Sequence, residues 1–280
     1  MITSIPDLDI YLLYYLDIKS IISVLAIAKE QYTLLSELKI VQELRLIKRK
    51  YIHEIIDRAG KYNCLTLIKW IHDSINKFNY TNNAINNAAA YNNIEILDWF
   101  KKSRYKFIYT NAINYAAENG NVEILEWFKN SGYEFKYTAD AINYAAENGY
   151  VEILEWFKNS EYEFKYTVNA INGASCNGHI DILEWFKNSG YEFKYSNAIN
   201  YAASNGYVEI LEWFKNSGYE FKCTTLAIDC AAYYGHIKIL DWFEKSGYEF
   251  GYTTDGINFA SAENGIAVIK WFNQHGKKFL

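Results

Sequence analysis

The sequence predicts an all-α solenoid of about eight helix–turn–helix repeats, preceded by a short N-terminal helical segment. Tryptophan recurs at a near-constant interval, a glycine or asparagine falls at a constant place in each interval, and the first 50 residues follow neither pattern. Every tryptophan of the chain takes part in the spacing: Trp70, Trp99, Trp127, Trp156, Trp185, Trp213, Trp242 and Trp271. Self-similarity at a period of roughly 20–50 residues is typical of stacked repeats. We therefore expect a repeat domain at residues 51–280 and a separate segment at residues 1–50.

One unit, Thr110–Tyr137, is interpreted as two short helices and a tail. The first helix is predicted from Ala112 to about Asn119, with the leading threonine or serine of each unit as its N-cap, because a hydroxyl accepts a free backbone N–H of the first turn. The second helix is predicted from about Val122 to Ser131, followed by a short extended segment, Tyr133–Phe135. The units begin near residues 51, 81, 110, 138, 167, 196, 224 and 253.

Two turns of each unit require a left-handed backbone. The turn between the helices carries glycine, or asparagine as the next most tolerant residue, at Gly120, Gly149, Gly178, Gly206, Gly235, Asn63, Asn92 and Asn264. The second helix is predicted to end at Gly132, Gly190, Gly218, Gly247 and Gly276. Ile75, Arg104 and Glu161 take that second place in three units, where each would cost up to about 1 kcal/mol if the left-handed conformation were kept.

The second helix is apolar around most of its circumference. Its apolar residues in one unit are Val122, Ile124, Leu125, Trp127 and Phe128. A helix with such a wide apolar surface must contact its partner helix and both neighbouring repeats, so the tryptophans are interpreted as core and not as a ligand-stacking track. Glu123, Glu126 and Lys129 of the second helix remain for its solvated side. The recurring Asn-x-x-Ala-Ala run is interpreted as part of the helix pattern.

The composition disfavours several classes of function. A formal net charge of −5 without a long basic run argues against nucleic-acid binding. The longest early apolar run, Ile21–Ala28, is too short to cross a bilayer, and four cysteines without a C-x-x-C pair indicate reduced thiols in a soluble intracellular protein. The sequence has no phosphate-binding glycine loop, nucleophile elbow or metal-ligand spacing, so we expect no catalytic activity, cofactor or metal.

The repeats resemble the ankyrin repeat. The family's Pro-Leu-His-Leu-Ala-Ala corresponds to Ala-Ile-Asn-Tyr-Ala-Ala at 112–117, and its Gly-His-Leu-Glu is best kept at 178–181 and 235–238. The resemblance covers about residues 51–280, and it implies a turn-stabilising role for His179 and His236. The units are 28 or 29 residues long instead of the family's 33, with the deletion where the family builds its β-hairpin finger. Such short units resemble those abundant in giant DNA viruses of amoebae, which implies a location in host cytoplasm.

The ankyrin resemblance implies that the protein binds another protein through a surface lined by the first helices and the adjoining loops. Positions that vary between units are the candidate contacts, and exposed tyrosines are the strongest among them. The candidate contacts are Tyr91, Glu118, Asn119, Glu147, Asn148, Cys176, Asn177, Ser204, Asn205, Tyr233 and Tyr234. The residues after the cap vary as well, and neutral drift at unconstrained surface positions is the alternative explanation for both sets. We expect a monomer.

Residues 5–36 resemble an F-box. The matching positions are Ile5, Pro6, Ile10, Leu13, Leu16, Asp17, Ile27, Ala28, Lys29 and Tyr32. The resemblance implies docking on the Skp-type linker of a cullin ubiquitin ligase, so that the protein would be a substrate-recruiting adaptor. In the alternative hypothesis the segment only caps the first repeat, and the protein is an interaction scaffold without a ligase role.

Overall fold

The computed structural model describes residues 49–74, 78–103, 105–253 and 265–277, so the F-box-like segment lies outside the described residues. The described residues contain fifteen α-helices and no strand. The first seven are α1 (Arg49–Lys61), α2 (Leu65–Ser74), α3 (Asn82–Ala90), α4 (Ile94–Lys102), α5 (Ala112–Glu118), α6 (Val122–Ser131) and α7 (Ala139–Glu147). The others are α8 (Val151–Asn159), α9 (Val168–Cys176), α10 (Ile180–Ser189), α11 (Ala198–Ser204), α12 (Val208–Ser217), α13 (Thr225–Tyr233), α14 (Ile237–Ser246) and α15 (Gly265–Gln274).

The chain divides into two compact units, residues 1–137 and 138–280, and the division falls where a repeat begins. Within each unit the helices follow the predicted alternation of first and second helices. In the unit 138–280 the first helices α7, α9, α11 and α13 pack side by side, and the second helices α8, α10, α12 and α14 form a parallel row. The prediction of a helical solenoid made of helix pairs is confirmed.

The core is built from nearly the same side chains in the repeats that begin at Thr81 to Thr224, whereas α2 buries Leu67, Ile68 and Ile71 and α15 buries Val268, Trp271 and Phe272. A first helix contributes one isoleucine and three alanines or other small residues, and a second helix contributes an isoleucine, a leucine and a phenylalanine. The phenylalanines are 0–1% exposed at Phe100, Phe128, Phe157, Phe186, Phe214, Phe243 and Phe272. Full burial of such a side chain stabilises the fold by roughly 1.5–3 kcal/mol. Because no repeat encloses these side chains alone, each stabilises its neighbour.

The tryptophans are core residues in part of the chain. Trp185, Trp213, Trp242 and Trp271 are 5–9% exposed, whereas Trp99, Trp127 and Trp156 are half-buried. Each of the four buried rings stacks on the tail phenylalanine of the preceding repeat, as Phe164 does on Trp185 at a centroid distance of 5.4 Å. The indoles therefore join one repeat to the next and do not form an open stacking track.

The acidic residue of the second helix, predicted to be solvated, also has a structural role. Indole Nε1 of Trp185 donates to Glu155 at 2.5 Å, and that of Trp213 donates to Glu184 at 2.6 Å. The same bond joins Trp127 to Asp98, Trp242 to Glu212 and Trp271 to Asp241. In four repeats a lysine ammonium of the preceding second helix lies 5.5–5.7 Å from the indole centroid. These lysines are exposed and the acidic residues are exposed or half-buried, which agrees with the predicted solvated side. The added bond forms because an indole N–H packed between repeats needs an acceptor.

The predicted N-caps are confirmed at Thr81, Thr138, Thr167 and Thr224, whose hydroxyls accept the backbone N–H two residues later at 3.1–3.3 Å. The prediction was wrong at Thr110 and Ser196. These repeats lack one residue between the hydroxyl and the first alanine, so Asn111 and Asn197 occupy the cap position without a side-chain bond. The displaced hydroxyls keep only the amide N–H from the preceding repeat, which the capping hydroxyls of Thr167 and Thr224 accept as well.

The left-handed turns are confirmed for the glycines and for Asn63 and Asn92, whose φ angles are 54° and 57°. Asn264, Ile75 and Arg104 lie outside the described residues. Glu161 does not adopt the left-handed conformation. Helix α8 ends one residue early, and Ser160 turns into an extended conformation with φ −84° and ψ 167°, so the repeat avoids the strain that the sequence suggested.

In six of the described first helices, a buried asparagine or aspartate links the helix to the next repeat. Its side-chain oxygen accepts the backbone N–H at the head of the following repeat, as Asn200 does from Thr224 at 3.0 Å. The asparagine amide also donates to the hydroxyl of that threonine or serine. At Asp57 and Asp229 the direction reverses, and Thr81 and Thr253 donate to the carboxylate. This inter-repeat link was missed when the asparagine was interpreted as part of the helix pattern.

Asn200→Ala is expected to lower the free energy of unfolding by about 1–3 kcal/mol, because two hydrogen bonds are lost at a buried position. Asn200→Asp is the matched control: Asp229 already occupies the corresponding place, and Thr224 can rotate to donate its hydroxyl as Thr253 does. Urea unfolding followed by circular dichroism measures both. An Asp variant as unstable as the Ala variant would contradict the assigned link.

In four of the described repeats, a tyrosine at the end of the tail forms a second connection to the next repeat. The hydroxyls of Tyr80, Tyr109, Tyr166 and Tyr195 donate to backbone carbonyls of the following tail. Burial raises the pKa of Tyr80 to about 12 and also raises the pKa of the other three. The folded protein therefore holds these phenols in their protonated form.

Stability is expected to fall as pH rises from about 10 to about 12. The unfolded chain ionises its phenols near pH 10 while the pKa of Tyr80 in the folded state is about 12, so this stabilisation is full below pH 10 and is lost through that window. In urea unfolding across this pH window, the free energy of unfolding should depend less steeply on pH for Tyr80→Phe than for the wild type. Comparing the two proteins also cancels the effect of lysine titration, because both contain the same lysines. Equal slopes for the two proteins would contradict the assignment.

Candidate partner-binding surface

The first helices leave one stripe of side chains exposed. Along α7 the apolar residues and Asn143 are buried, whereas Asp140, Tyr144, Glu147 and Asn148 are exposed or half-buried. The spacing i, i+4, i+7 places these residues on one side of a helix. Repetition on the adjoining first helices gives the surface that we name the first-helix surface of the unit 138–280. It consists of Asp140, Tyr144, Glu147 and Asn148; Asn169, Gly173, Cys176 and Asn177; Asn197, Tyr201, Ser204 and Asn205; and Leu226, Cys230, Tyr233 and Tyr234.

Eight of the predicted contact residues lie on this surface. Glu147, Cys176 and Ser204 are half-buried, and the others are exposed: Asn148, Asn177, Asn205, Tyr233 and Tyr234. Neighbouring repeats bring them into contact, since the amide of Asn177 donates to the carbonyl oxygen of Glu147 at 2.8 Å and the amide of Asn205 donates to Cys176 Sγ at 3.4 Å.

Two tyrosines at the end of α13 form the most exposed aromatic group of the surface. The rings of Tyr233 and Tyr234 lie edge to face with centroids 4.9 Å apart, and the two residues are 43% and 54% exposed. Leu226 at the start of the same helix is 56% exposed. In the turn that follows, His236 Nε2 bonds the carbonyl oxygen of Ser204 at 3.0 Å. That contact agrees with the turn-stabilising role expected of His236.

The remaining three predicted contacts, Tyr91, Glu118 and Asn119, lie in the unit 1–137. Tyr91 is 49% exposed, and the ammonium of Lys61 lies 5.0 Å from its ring centroid. The amide of Asn119 donates to the carbonyl oxygen of Tyr115 in its own helix at 2.8 Å. Asn119 is exposed and Glu118 is half-buried.

The sequence interpretation missed the centre of the stripe. Tyr144 and Tyr201 are 41% and 43% exposed, but both belong to a recurring Asn-Tyr-Ala-Ala run, so they are not among the varying positions that the sequence marks as candidate contacts. Two signals in the sequence point to this position: it lies four residues after the variable cap position, and Gly173 interrupts the tyrosines. The place of a residue on the helix therefore predicts its exposure better than the variation of that position between repeats.

The first-helix surface differs in charge from the opposite side of the repeats. Helices α7, α9, α11 and α13 contain no lysine or arginine, and their partly exposed charged groups are Asp140 and Glu147. The lysines of this unit lie on the second helices and tails, where Lys165, Lys194 and Lys222 pair with glutamates two residues earlier. The surface thus presents tyrosines and carboxylates without internal cations.

The thiols of the chain are not arranged for nucleophilic chemistry. Burial raises the pKa of Cys176, and the nearby Glu147 carboxylate adds to the shift. Burial likewise raises the pKa of Cys64 and Cys223, and all four cysteines are free thiols. Protonated thiols are poor nucleophiles.

Two features are absent from the part of the chain that the structure describes. Within it, no three histidine, cysteine, aspartate or glutamate side chains gather in a way that would hold a metal ion. None of its helices combines the length and the apolar character that crossing a membrane requires.

No protein-family profile and no curated protein matches the sequence. Among solved structures, the chain is similar to the crystal structure of the human ASB11 ankyrin repeat domain, with 11% sequence identity and a TM-score of 0.46. The match covers 77% of this chain and 96% of that one. The assignment of a helical-repeat solenoid rests on the helix pairs described above.

Proposed function

We propose that the chain is a protein-interaction module that binds a partner through the first-helix surface. The observation that carries the proposal is the exposed group of Tyr233, Tyr234 and Leu226 on α13, the last first helix that the structure describes. Tyrosine supplies a large contact area with few rotatable bonds, and aromatic residues are enriched where binding energy concentrates.

The rest of the surface supports the same function. Tyr144 and Tyr201 extend the exposed aromatic residues along the row, and the alanines beneath them hold neighbouring first helices close together. The lack of lysine and arginine on these helices argues against a nucleic-acid backbone as the ligand, because phosphate binding depends on such cations. A protein partner agrees with both the tyrosines and the charge.

Replacing Tyr233 and Tyr234 together with alanine is expected to abolish partner capture. Tagged full-length protein, wild-type or variant, is used for affinity capture from cells, with quantitative mass spectrometry of the bound proteins. Partners of the wild type should fall at least about tenfold on the double variant, since interface tyrosines often contribute about 2 kcal/mol or more.

The matched control removes two exposed side chains from second helices, Glu209→Ala with Lys238→Ala, and should keep the partners. Both double variants should unfold within about 0.5 kcal/mol of the wild type, because the replaced side chains are exposed. Undiminished capture by the tyrosine variant would refute the role of this surface.

We further propose that the module is a substrate-recruiting adaptor for a cullin-type ubiquitin ligase, with residues 5–36 binding a Skp-type linker. The support is the F-box resemblance of the sequence around Ile5–Pro6, Leu13 and Leu16–Asp17. The alternative is an interaction scaffold in which these residues only cap the repeats.

Full-length protein is expected to bind a purified Skp-type linker in a pull-down, and Leu13→Ala with Leu16→Ala should reduce binding at least about tenfold, because buried apolar contacts are lost. The Tyr233 and Tyr234 double variant should bind the linker normally. Absence of binding by folded wild-type protein would leave the scaffold alternative in place.

A further inference from the structure

The central position of each first helix on the first-helix surface is occupied by Tyr144, Gly173, Tyr201 or Cys230. The missing side chain at Gly173 leaves a groove there. Tyr144 and Tyr201 occupy the corresponding positions of the repeats before and after it. The groove between them has a volume of about 220 Å³ and is lined by Asp140, Tyr144, Glu147, Gly173, Cys176 and Tyr201. It lies within the unit 138–280 and spans three first helices, α7, α9 and α11.

The glycine also sets the spacing of the groove floor. A Cβ atom at position 173 would lie 2.9 Å from Cβ and 3.1 Å from Cγ of Glu147, closer than ordinary van der Waals contact. Glycine therefore lets α9 approach the Glu147 side chain, which stands at the edge of the gap. Glycine in place of tyrosine at position 173 thus removes one ring from the surface and places Glu147 beside the groove.

The polar side chains of the groove differ in whether they already form hydrogen bonds or ion pairs within the protein. The amides of Asn143 and Asn172 bond Thr167 and Ser196 of the following repeats. One oxygen of Asp140 accepts the hydroxyl of Thr138 at 3.0 Å. Neither Asp140 nor Glu147 forms an ion pair with another described residue. The two carboxylates, together with the exposed side-chain amide of Asn169, which also lines the groove, are thus the polar groups that remain for a ligand.

We propose that this groove receives a lysine or arginine side chain from an extended segment of the partner protein, an inference that rests on the function proposed above. The aliphatic part of such a side chain fits between the rings of Tyr144 and Tyr201, in the space that Gly173 leaves. Its cationic end meets Glu147 and Asp140, and the faces of the two tyrosine rings attract the same charge.

Other ligand classes fit the groove less well. An anionic side chain would meet two carboxylates and no cation, so its approach is unfavourable. A purely apolar side chain would leave the half-buried Glu147 with less water and no compensating charge. A basic side chain is complementary to the groove in both respects, because its aliphatic part contacts the apolar walls and its cation pairs with the carboxylates.

The test is selection of random twelve-residue peptides, displayed on phage, on immobilised full-length protein. Four proteins are compared: wild type, Glu147→Gln, Tyr201→Ala and the matched control Glu209→Gln, which removes an exposed carboxylate from α12. Wild type should enrich peptides with arginine or lysine at one fixed position. Synthetic peptides from the selection should bind Glu147→Gln and Tyr201→Ala about tenfold more weakly and bind the control equally well.

Tyr201→Phe separates recognition from folding, since it keeps the ring and should keep binding. Thermal unfolding of every variant near the wild-type temperature completes that control. Enriched peptides that bind through Tyr233 and Tyr234 but lack a basic position would overturn this inference and leave the proposed function standing. Basic peptides that bind Glu147→Gln as tightly as wild type would also overturn it. Failure to enrich any peptide would count against both proposals.

Discussion

The bond from a buried asparagine or aspartate to the head of the next repeat is the contact on which the rest of the structure depends. Asn200 shows its two parts, an oxygen that accepts the Thr224 N–H and an amide that donates to the Thr224 hydroxyl. It fixes where each first helix starts relative to the previous one, so the alanines and isoleucines of neighbouring first helices meet in register. Because this bond uses the only buried polar side chain of most first helices, the side chains left over form the exposed stripe.

On the opposite side, repeats are joined by aromatic rings and by the charged residues around them. Trp213 stacks on Phe193, donates its indole N–H to Glu184 and lies under the ammonium of Lys187. The tryptophans and the acidic residues that accept their indole N–H groups thus stabilise the stack of repeats, although nothing in the sequence indicated such a role for the acidic residues. The charges that no ion pair neutralises within the described residues include Asp140 and Glu147 on the first-helix surface. The contacts that hold the stack together and the proposed binding surface thus lie on different faces of the repeat.

Departures from the repeat had different consequences at different places. Loss of one residue before Ala112 and Ala198 removed a hydroxyl from the cap position and left it with the bond to the preceding repeat that capping hydroxyls also form. Loss of the glycine at Glu161 shortened a helix by one residue without a strained φ. Loss of the tyrosine at Gly173 opened a groove. The first two changes are absorbed by local backbone adjustment, whereas the third changes what the surface can bind.

The sequence by itself determined the repeat, the helix bounds to about one residue, and the left-handed turns, because each depends on local backbone chemistry repeated many times. It also placed Tyr233 and Tyr234 outside the core, since they fall where the pattern varies. Only the tertiary structure decided which helix-face residues are used by a neighbour. Asn200, Glu184 and Tyr201 all sit at regular positions, yet the first links two repeats, the second accepts an indole N–H and the third faces solvent. The physical reason is that burial here is set between repeats, by side chains about 24–30 residues apart, and one repeat's sequence does not contain its neighbour's position.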